Sequence, residues 1–275
     1  MEIGCNIVAD DYGITDDVNS AILELVKKNI VSKVGVMVND IIDYSIYDIR
    51  NYNREIGLHL NLTSYERGKG INPDKEIAPS KFLYYLYTNQ DENMIIDNID
   101  YQFEFLKRNG FKISYIDTHL HIHIFPKLSR LIINYAKAKG IDSIRCITMQ
   151  RRHMIFYINS LVHFGFLRQL PKIIFLYSLG GVMKSILDIS QMKYCKNLVL
   201  MPLAKDGDYS GLLRVLLKRF RDVDAEIVTH PGFETKIKYD RYTTGRYIEF
   251  CALINLMQDT HLSKIGLDIG GESNS

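Results

Sequence analysis

Cysteine is scarce and scattered: Cys5, Cys146, Cys195 and Cys251 are the only four in 275 residues, and no two form a CxxC pair. That spacing argues against a disulfide framework and against a thiolate zinc site. Charge of neither sign is in excess, since 34 Lys and Arg face 32 Asp and Glu. Such a balance provides no field to gather a polyanion, so no nucleic-acid partner is expected. A glycine-rich phosphate loop is missing as well, because the segment DDYG at 10–13 fits neither GxGxxG nor GxxxxGK[ST]. The first residues, MEIGCNIVADD, contain no basic leader and no small-residue cleavage site. A cytoplasmic, reduced protein is therefore expected. Clean long apolar runs are absent too. Residues 154–187 are rich in apolar and aromatic side chains, but Arg168, Pro171 and Lys172 interrupt them before about 18 uninterrupted residues accumulate. They are read as buried helices or a lid over a site, not a transmembrane segment, with peripheral contact to a lipid-linked substrate as the alternative.

What is present is enough apolar material, 47% of residues, for the core of one large domain. Short β-rich runs alternate with helical ones. Residues 2–9 read as a buried strand, and the following TDDVNSAILELVKKN has the i, i+3, i+4 spacing of a helix. Strands are expected at 31–38, 55–63, 142–147, 197–202 and 225–233, and one more is expected to carry the histidines of IDTHLHIHIF at 116–125. Helices are expected over DYSIYDIRNY, over 80–88 and 92–109, from Pro126 to Gly140, over YSGLLRVLLKRFRD and near 245–258. Repeating βα units imply an α/β fold with a parallel sheet, either closed as a barrel or open and doubly wound. The polar, glycine-bearing segment 64–79 is expected to form part of the rim over a site.

In both architectures reactive groups gather at the carboxyl ends of the strands. Asp10 and Asp11 end the first strand, His59 lies late in the third, His119, His121 and His123 close the next, and His230 ends the last. Strand alternation would set Asp117, His119, His121 and His123 on one face, and His59 with Asn61 on one face of the third strand. Burying five imidazoles and two carboxylates without a cation or a catalytic use costs several kcal/mol, so a divalent metal site is expected. Imidazole and carboxylate donors around an open position suit Zn²⁺, Mn²⁺ or Fe²⁺, while Mg²⁺ generally prefers oxygen. Three histidines at i, i+2 and i+4 of a straight strand spread over about 13 Å, so only one or two of them can reach one ion.

The segments VADDYG at 8–13, GLHLNLT at 57–63, IDTHLHIH at 116–123 and THPGF at 229–233 resemble, in order and spacing, the YdjC-like carbohydrate deacetylases. The likeness runs from residue 3 to about 147 and again from about 208 to 270, including HLSKIGLD near the end; residues 150–200 match nothing in it. The resemblance implies a NodB-like distorted (β/α) barrel, TIM-barrel-like and a single domain over 1–275, with a variable helical insertion or lid at about 150–197. It further implies removal of an N-acetyl group from a sugar with one divalent cation, usually Mg²⁺, and a family that often forms homodimers. Carried onto this sequence, the metal ligands are Asp11, His59 and His119, and Asp10 is the catalytic aspartate. Val8, Tyr12 and Thr229 depart from the family's usual Asn, Phe and Cys, which touches the pocket's details and not the chemistry.

A mechanism is expected from these assignments. Asp10 takes the proton of a metal-held water, and His230 protonates the departing amine, its ordinary pKa near 6.5 suiting that task. Asn61, Asp117, His121, His123 and Arg145 are expected to orient ligands or contact substrate. The substrate would be chitooligosaccharide-like, or a lipid- or nucleotide-linked amino sugar. Three rivals share parts of the pattern: a metallophosphatase barrel with more ions, a two-histidine-one-carboxylate oxygenase, whose β-helix fold the helices argue against, and a non-catalytic sugar-binding barrel.

Overall fold

Strand β1 (Cys5–Tyr12) opens the chain and leads into α1 (Asp16–Lys27), whose first turn is capped by the Thr15 side chain accepting from the Val18 N–H. The computed structural model describes residues 4–44, 48–71, 76–88, 92–234 and 243–258. The chain continues through β2 (Lys33–Val36) and β3 (Glu55–Leu60), then a small hairpin of β4 (Tyr65–Glu66) and β5 (Gly70–Ile71). Helices α2 (Pro79–Thr88) and α3 (Asn93–Arg108) precede β6 (Ile113–Thr118), and α4 (Pro126–Ala138) starts on its proline. A two-residue β7 (Ser143–Ile144) is followed by α5 (Arg151–His163) and α6 (Leu170–Ile189). Strand β8 (Leu198–Leu200), α7 (Tyr209–Phe220), β9 (Ala225–Thr229) and α8 (Thr243–Gln258) complete it.

Seven of these strands form one parallel sheet in the order β7-β6-β3-β2-β1-β9-β8. The last strand pairs with the first, and the order then runs monotonically outward on both sides. A doubly wound sheet would instead reverse direction at an internal switch point. The sheet is a curled half-barrel whose seam lies between β7 and β8. Irregular bonds stitch that seam: Leu198 N donates to Thr148 O at 2.8 Å, and Lys193 N to Asp142 O at 2.7 Å. Strands buried on both faces carry the apolar runs that the sequence shows, with Val34, Val36, Leu58, Leu60, Ile227 and Val228 all fully covered. All four cysteines are unpaired.

Two expectations are corrected. DYSIYDIRNY contains, among its described residues, only a short 3-10 turn at Ile49–Asn51 and no α-helix. The strand bearing the three histidines stops at Thr118, and His119–Ile124 is a tight 3-10 segment in which Leu120 and His121 have φ of 57° and 55°. Left-handed backbone at non-glycine residues costs on the order of 1 kcal/mol each, and here it aims successive imidazoles in different directions. The final helix and the HLSKIGLD segment differ in standing: α8 ends at Gln258, and His261 with its neighbours lies outside the described residues.

Helix α6 approaches the barrel at Gly180, where an added Cβ would stand 1.7 Å from Ile147 O. Gly180→Ala is therefore expected to push α6 outward and cost about 1–3 kcal/mol, read as a lowered Tm. A Tm equal to the parent would contradict this packing.

Candidate active site

The site is set by a fault in β1. A regular strand would send Asp10 and Asp11 to opposite faces. Here the register with β2 shifts between Ala9 and Tyr12, and Asp11 takes a φ of 71°. This bulge turns both carboxylates toward His59: Asp11 Oδ1 lies 3.2 Å from His59 Nε2, and Asp10 Oδ2 lies 3.9 Å from His59 Nδ1. Room for Asp10 comes from Gly35 on the neighbouring strand, since a Cβ there would stand 2.7 Å from Asp10 Oδ1. Glycine inside the strand VSKVGVMV was the available signal of such a close approach.

His59 and Asp117 occupy partnered positions on β3 and β6, and His59 Nδ1 meets Asp117 Oδ2 at 3.0 Å. A carboxylate only accepts, so Nδ1 carries the hydrogen toward Asp117, and a cation between Nε2 and Asp11 would take the place of the Nε2 proton. His119 repeats the arrangement with the nitrogens exchanged. Its Nε2 faces Glu76 Oε2 at 3.2 Å, leaving Nδ1 3.1 Å from the same Asp11 oxygen. Carboxylates behind two inward-facing imidazoles are the usual supports of metal-binding histidines.

The donor atoms of Asp11, His59 and His119 all lie within 4.8 Å of one another. Ligands about 2.1 Å from an ion stand roughly 3.0 Å apart in an octahedron and roughly 3.4 Å in a tetrahedron. The 3.1 and 3.2 Å nitrogen–oxygen separations fall between these, so the residues fit a divalent cation. Electrostatics agree in direction. Burial disfavours the charged form of His59, yet Asp117 and Asp10 outweigh it and hold its pKa well above the ordinary value. Burial likewise opposes ionisation of Asp11, but Arg246 and His119 keep its carboxyl well below the usual range. A pocket that holds protons on imidazoles this strongly would exchange them for a metal ion.

A second acid–imidazole group, Asp10, His59 and Asp117, is fully buried behind the first. Arg145 fills it. Its two terminal nitrogens donate to Asp10 Oδ2 at 2.5 Å and Oδ1 at 2.9 Å, and it is also paired with Asp117. Burial raises the Asp10 pKa despite Arg145, whereas Arg145 and His59 overcome burial at Asp117 and bring it to about 2.

A cleft of about 520 Å³ opens over the cluster, lined by Asp11, His59, His119, His121, His230 and Arg246 on one side. The opposite wall is apolar, from Ile173 and Leu176 of α6 and from Met201 and Leu203, with Glu76, Ala78 and Pro79 of the 64–79 segment at its rim. Asp10, Asn61, Asp117, His123 and Arg145 do not line it. Asn61 is instead held in a turn, where its side-chain oxygen accepts from the Thr63 and Ser64 N–H groups at 3.0 Å each. Thr118 Oγ1 accepts from the His123 N–H at 3.0 Å and is hydrogen-bonded to His123 Nδ1 at 2.7 Å. His121 faces the cleft with Nδ1 unpartnered among the described residues, and burial and His123 push its pKa well down.

At His230 an expectation changes. Burial lowers its pKa to about 3, so the imidazole reaches neutral pH uncharged and has no proton to give until the reaction supplies one. Its backbone N–H donates to Glu249 Oε2 at 2.7 Å. Arg246 reaches across to donate to Asp11 Oδ2 at 2.7 Å. Sequence reading passed over Glu76, Arg246 and Glu249. The last two stand three residues apart on α8, a buried charged pair on a helix face that also buries Phe250 and Leu253, which is a legible signal. Glu76 sits in a rim loop and has no periodicity to betray it.

Burial pushes the Glu249 carboxyl from 4.5 up to about 8, and its Oε1 has no partner among the described residues. Between those values the folded chain holds a proton that the unfolded chain has lost, so stability falls as pH rises from about 4.5 to about 8. Glu249→Gln keeps an acceptor for the His230 N–H and is expected to flatten that slope in Tm measured against pH. An unchanged slope would refute a protonated Glu249.

Fold and site together define an α/β half-barrel with an acid–imidazole cluster at the carboxyl ends of its strands. The chain belongs to the YdjC-like protein family, which it matches over residues 6–257. A chitooligosaccharide deacetylase of Citrobacter koseri is 25% identical over 144 residues, 48% of this chain and 55% of the relative. A carbohydrate deacetylase of Oceanobacillus iheyensis is 31% identical over 140 residues, 48% of this chain and 60% of the relative. The chain thus spans little more than half the length of these curated relatives. A solved structure from Enterococcus faecalis, described as a candidate for cellobiose-phosphate cleavage, shares the fold with a TM-score of 0.61 and 16% identity over 96% of this chain and 94% of that one.

Proposed function

We propose that this protein is a metal-dependent hydrolase that removes the acetyl group from an N-acetylated sugar, yielding the amine and acetate. The observation that carries the reading is the convergence of Asp11 Oδ1, His59 Nε2 and His119 Nδ1 at the floor of the cleft. The deacetylase names of the two relatives supply the reaction class. A divalent ion bound there, Mg²⁺ or a transition metal such as Zn²⁺, would polarise the acetamide carbonyl and lower the pKa of a water. Asp117 and Glu76 keep the two imidazoles turned inward with their lone pairs forward. Asp10 is the proposed acceptor of the attacking water's proton; it does not line the cleft but lies directly behind it, 3.9 Å from His59, and its raised pKa suits a base that keeps the proton until it is passed to the amine. His230, neutral at the start, has no proton of its own to give, so it would relay to the departing amine the single proton taken from the attacking water. His121 and Arg246 face the cleft beside it and are positioned to contact the sugar or the acetyl oxygen.

The buried arginine weighs against the two-ion phosphatase reading. A second dication among Asp10, His59 and Asp117 would meet the fixed charge of Arg145. A non-catalytic sugar-binding barrel gives no reason for the paired carboxylates of β1. The test is acetate release from a panel of N-acetylated amino sugars, using chelator-stripped protein resupplied with Mg²⁺, Zn²⁺, Mn²⁺ or Co²⁺. Acetate formed with one of these ions and abolished by chelator is expected. Phosphate released from sugar phosphates, with no acetate from any substrate, would overturn the reading.

A further inference from the structure

Helix α6 is apolar over most of its surface but covered on only one side. The stretch Leu167–Ile189 has a mean hydropathy of 1.4, and only 28% of its apolar window is buried. A helix that is hydrophobic all round is ordinarily enclosed by protein or by lipid. Here a single seam of Ile173, Leu176, Gly180, Met183 and Leu187 is buried against the rest of the chain. On the other side Ile174, Phe175, Val182 and Ile189 are 50%, 55%, 47% and 84% exposed. Spacings of three, four and seven residues put these on one stripe, together with Pro171, Ser178 and Ser185, along a helix about 30 Å long.

The charge of the segment that carries the stripe is lopsided. Residues 150–197 hold seven Lys and Arg against one acidic residue, Asp188, while 27 of the chain's 34 basic and 31 of its 32 acidic residues lie elsewhere. Lys184 is tied to Asp188 and Lys193 to Asp142. Arg168 and Lys172, at the start of the same segment, are exposed and form no ion pair among the described residues. An apolar stripe with unpaired cations at one end is complementary to a membrane surface carrying anionic lipid.

We infer that α6 docks this protein peripherally on an anionic bilayer, with Ile174, Phe175, Val182 and Ile189 entering the interface and Arg168 and Lys172 meeting the headgroups. Spanning is ruled out by the buried seam, which commits one side of the helix to the barrel. Docking also has a consequence for the cleft, because Gln169, Lys172 and Phe175 of the same segment line it. The mouth would then open at headgroup depth, beside a wall of Ile173 and Leu176 suited to an acyl or isoprenoid tail. Delivery of a lipid-linked amino sugar rests on the deacetylase reading; attachment to the bilayer does not.

The experiment is co-sedimentation of the full chain with vesicles of phosphatidylcholine alone and of phosphatidylcholine mixed with phosphatidylglycerol, with no sugar present. The parent is expected to pellet with the mixed vesicles, more weakly with the neutral ones, and to be released in part by high salt. Ile174→Glu combined with Val182→Glu, both at exposed positions that leave the seam intact, is expected to reduce the bound fraction about tenfold. Met94→Glu, a charge placed at an exposed methionine of α3, is expected to leave binding unchanged. Parent protein that stays in the supernatant with both vesicle types overturns the inference, as does a double variant that pellets like the parent. Sedimentation velocity on the same samples identifies the remaining outcome. A parent dimer that becomes monomeric in the double variant, without vesicle binding, assigns the stripe to a second copy of the chain and also overturns it. Failure of this experiment leaves acetate release untouched, and failure of acetate release leaves vesicle binding untouched.

Discussion

Asp11→Ala and His59→Ala are each expected to lower acetate release by roughly a thousandfold or more, about 4 kcal/mol of transition-state stabilisation. The reason lies in the geometry around Asp11. One oxygen faces both imidazole nitrogens, at 3.2 and 3.1 Å, and the other is held by Arg246 at 2.7 Å. Removing the carboxylate takes away the anionic donor, takes from the buried Arg246 the carboxylate it pairs with and lets the two imidazoles separate. Removing His59 has a second effect, since Asp117 and Asp10 then face each other with only Arg145 between them. Calorimetric titration with Mn²⁺ or Zn²⁺ provides a readout independent of turnover: both variants should bind the ion at least tenfold more weakly. Asp11→Ala protein that binds and turns over like the parent would sink the ligand assignment.

Arg145→Met is expected to destabilise the fold by about 3–5 kcal/mol, the largest stability effect foreseen for one side chain here. Arg145 compensates two carboxylates, Asp10 and Asp117, that are both fully buried. Methionine fills a similar volume but supplies no charge, so two anions remain in a low-dielectric interior. Asp10 already has a raised pKa from burial, and losing Arg145 raises it further. A raised carboxyl pKa means the folded state binds the proton more tightly than the unfolded state, so the deficit should shrink as the buffer is made more acidic. Asp10→Asn in the Arg145→Met background is expected to recover part of the loss, giving a coupling of about 1–3 kcal/mol. Urea titrations of the four proteins check this. A single variant within about 1 kcal/mol of the parent would mean that Asp10 and Asp117 are not ionised together.

Much of the site was legible because chemistry that needs several polar groups in a hydrophobic chain cannot hide. Asp10, Asp11, His59, His119 and His230 announce themselves as polar residues ending apolar runs, and strand ends are where such groups converge. The pairing of His59 with Asp117 also follows from adjacent parallel strands in register. Less legible was the run of histidines at 119–123. Period-two spacing suggested a common strand face, but two residues with positive φ break the strand after Thr118 and send His119 to Asp11, His121 to the cleft and His123 to Thr118. Backbone in the left-handed region at non-glycine residues leaves no mark in the sequence, because surrounding tertiary contacts impose it.

Sequence alone determined the alternation of buried strands and amphipathic helices, the parallel sheet and which polar side chains would end apolar strands, because periodicity and polarity are properties of neighbours along the chain. Tertiary structure decided the rest. Whether β9 would pair with β1, which oxygen of Asp11 would face two imidazoles, that Arg145 would fill the second acidic group, and that α6 would leave an apolar stripe uncovered all depend on groups up to 235 residues apart, such as Asp11 and Arg246. Such contacts are fixed by packing and by the pairing of buried charge, and neither is written in local order.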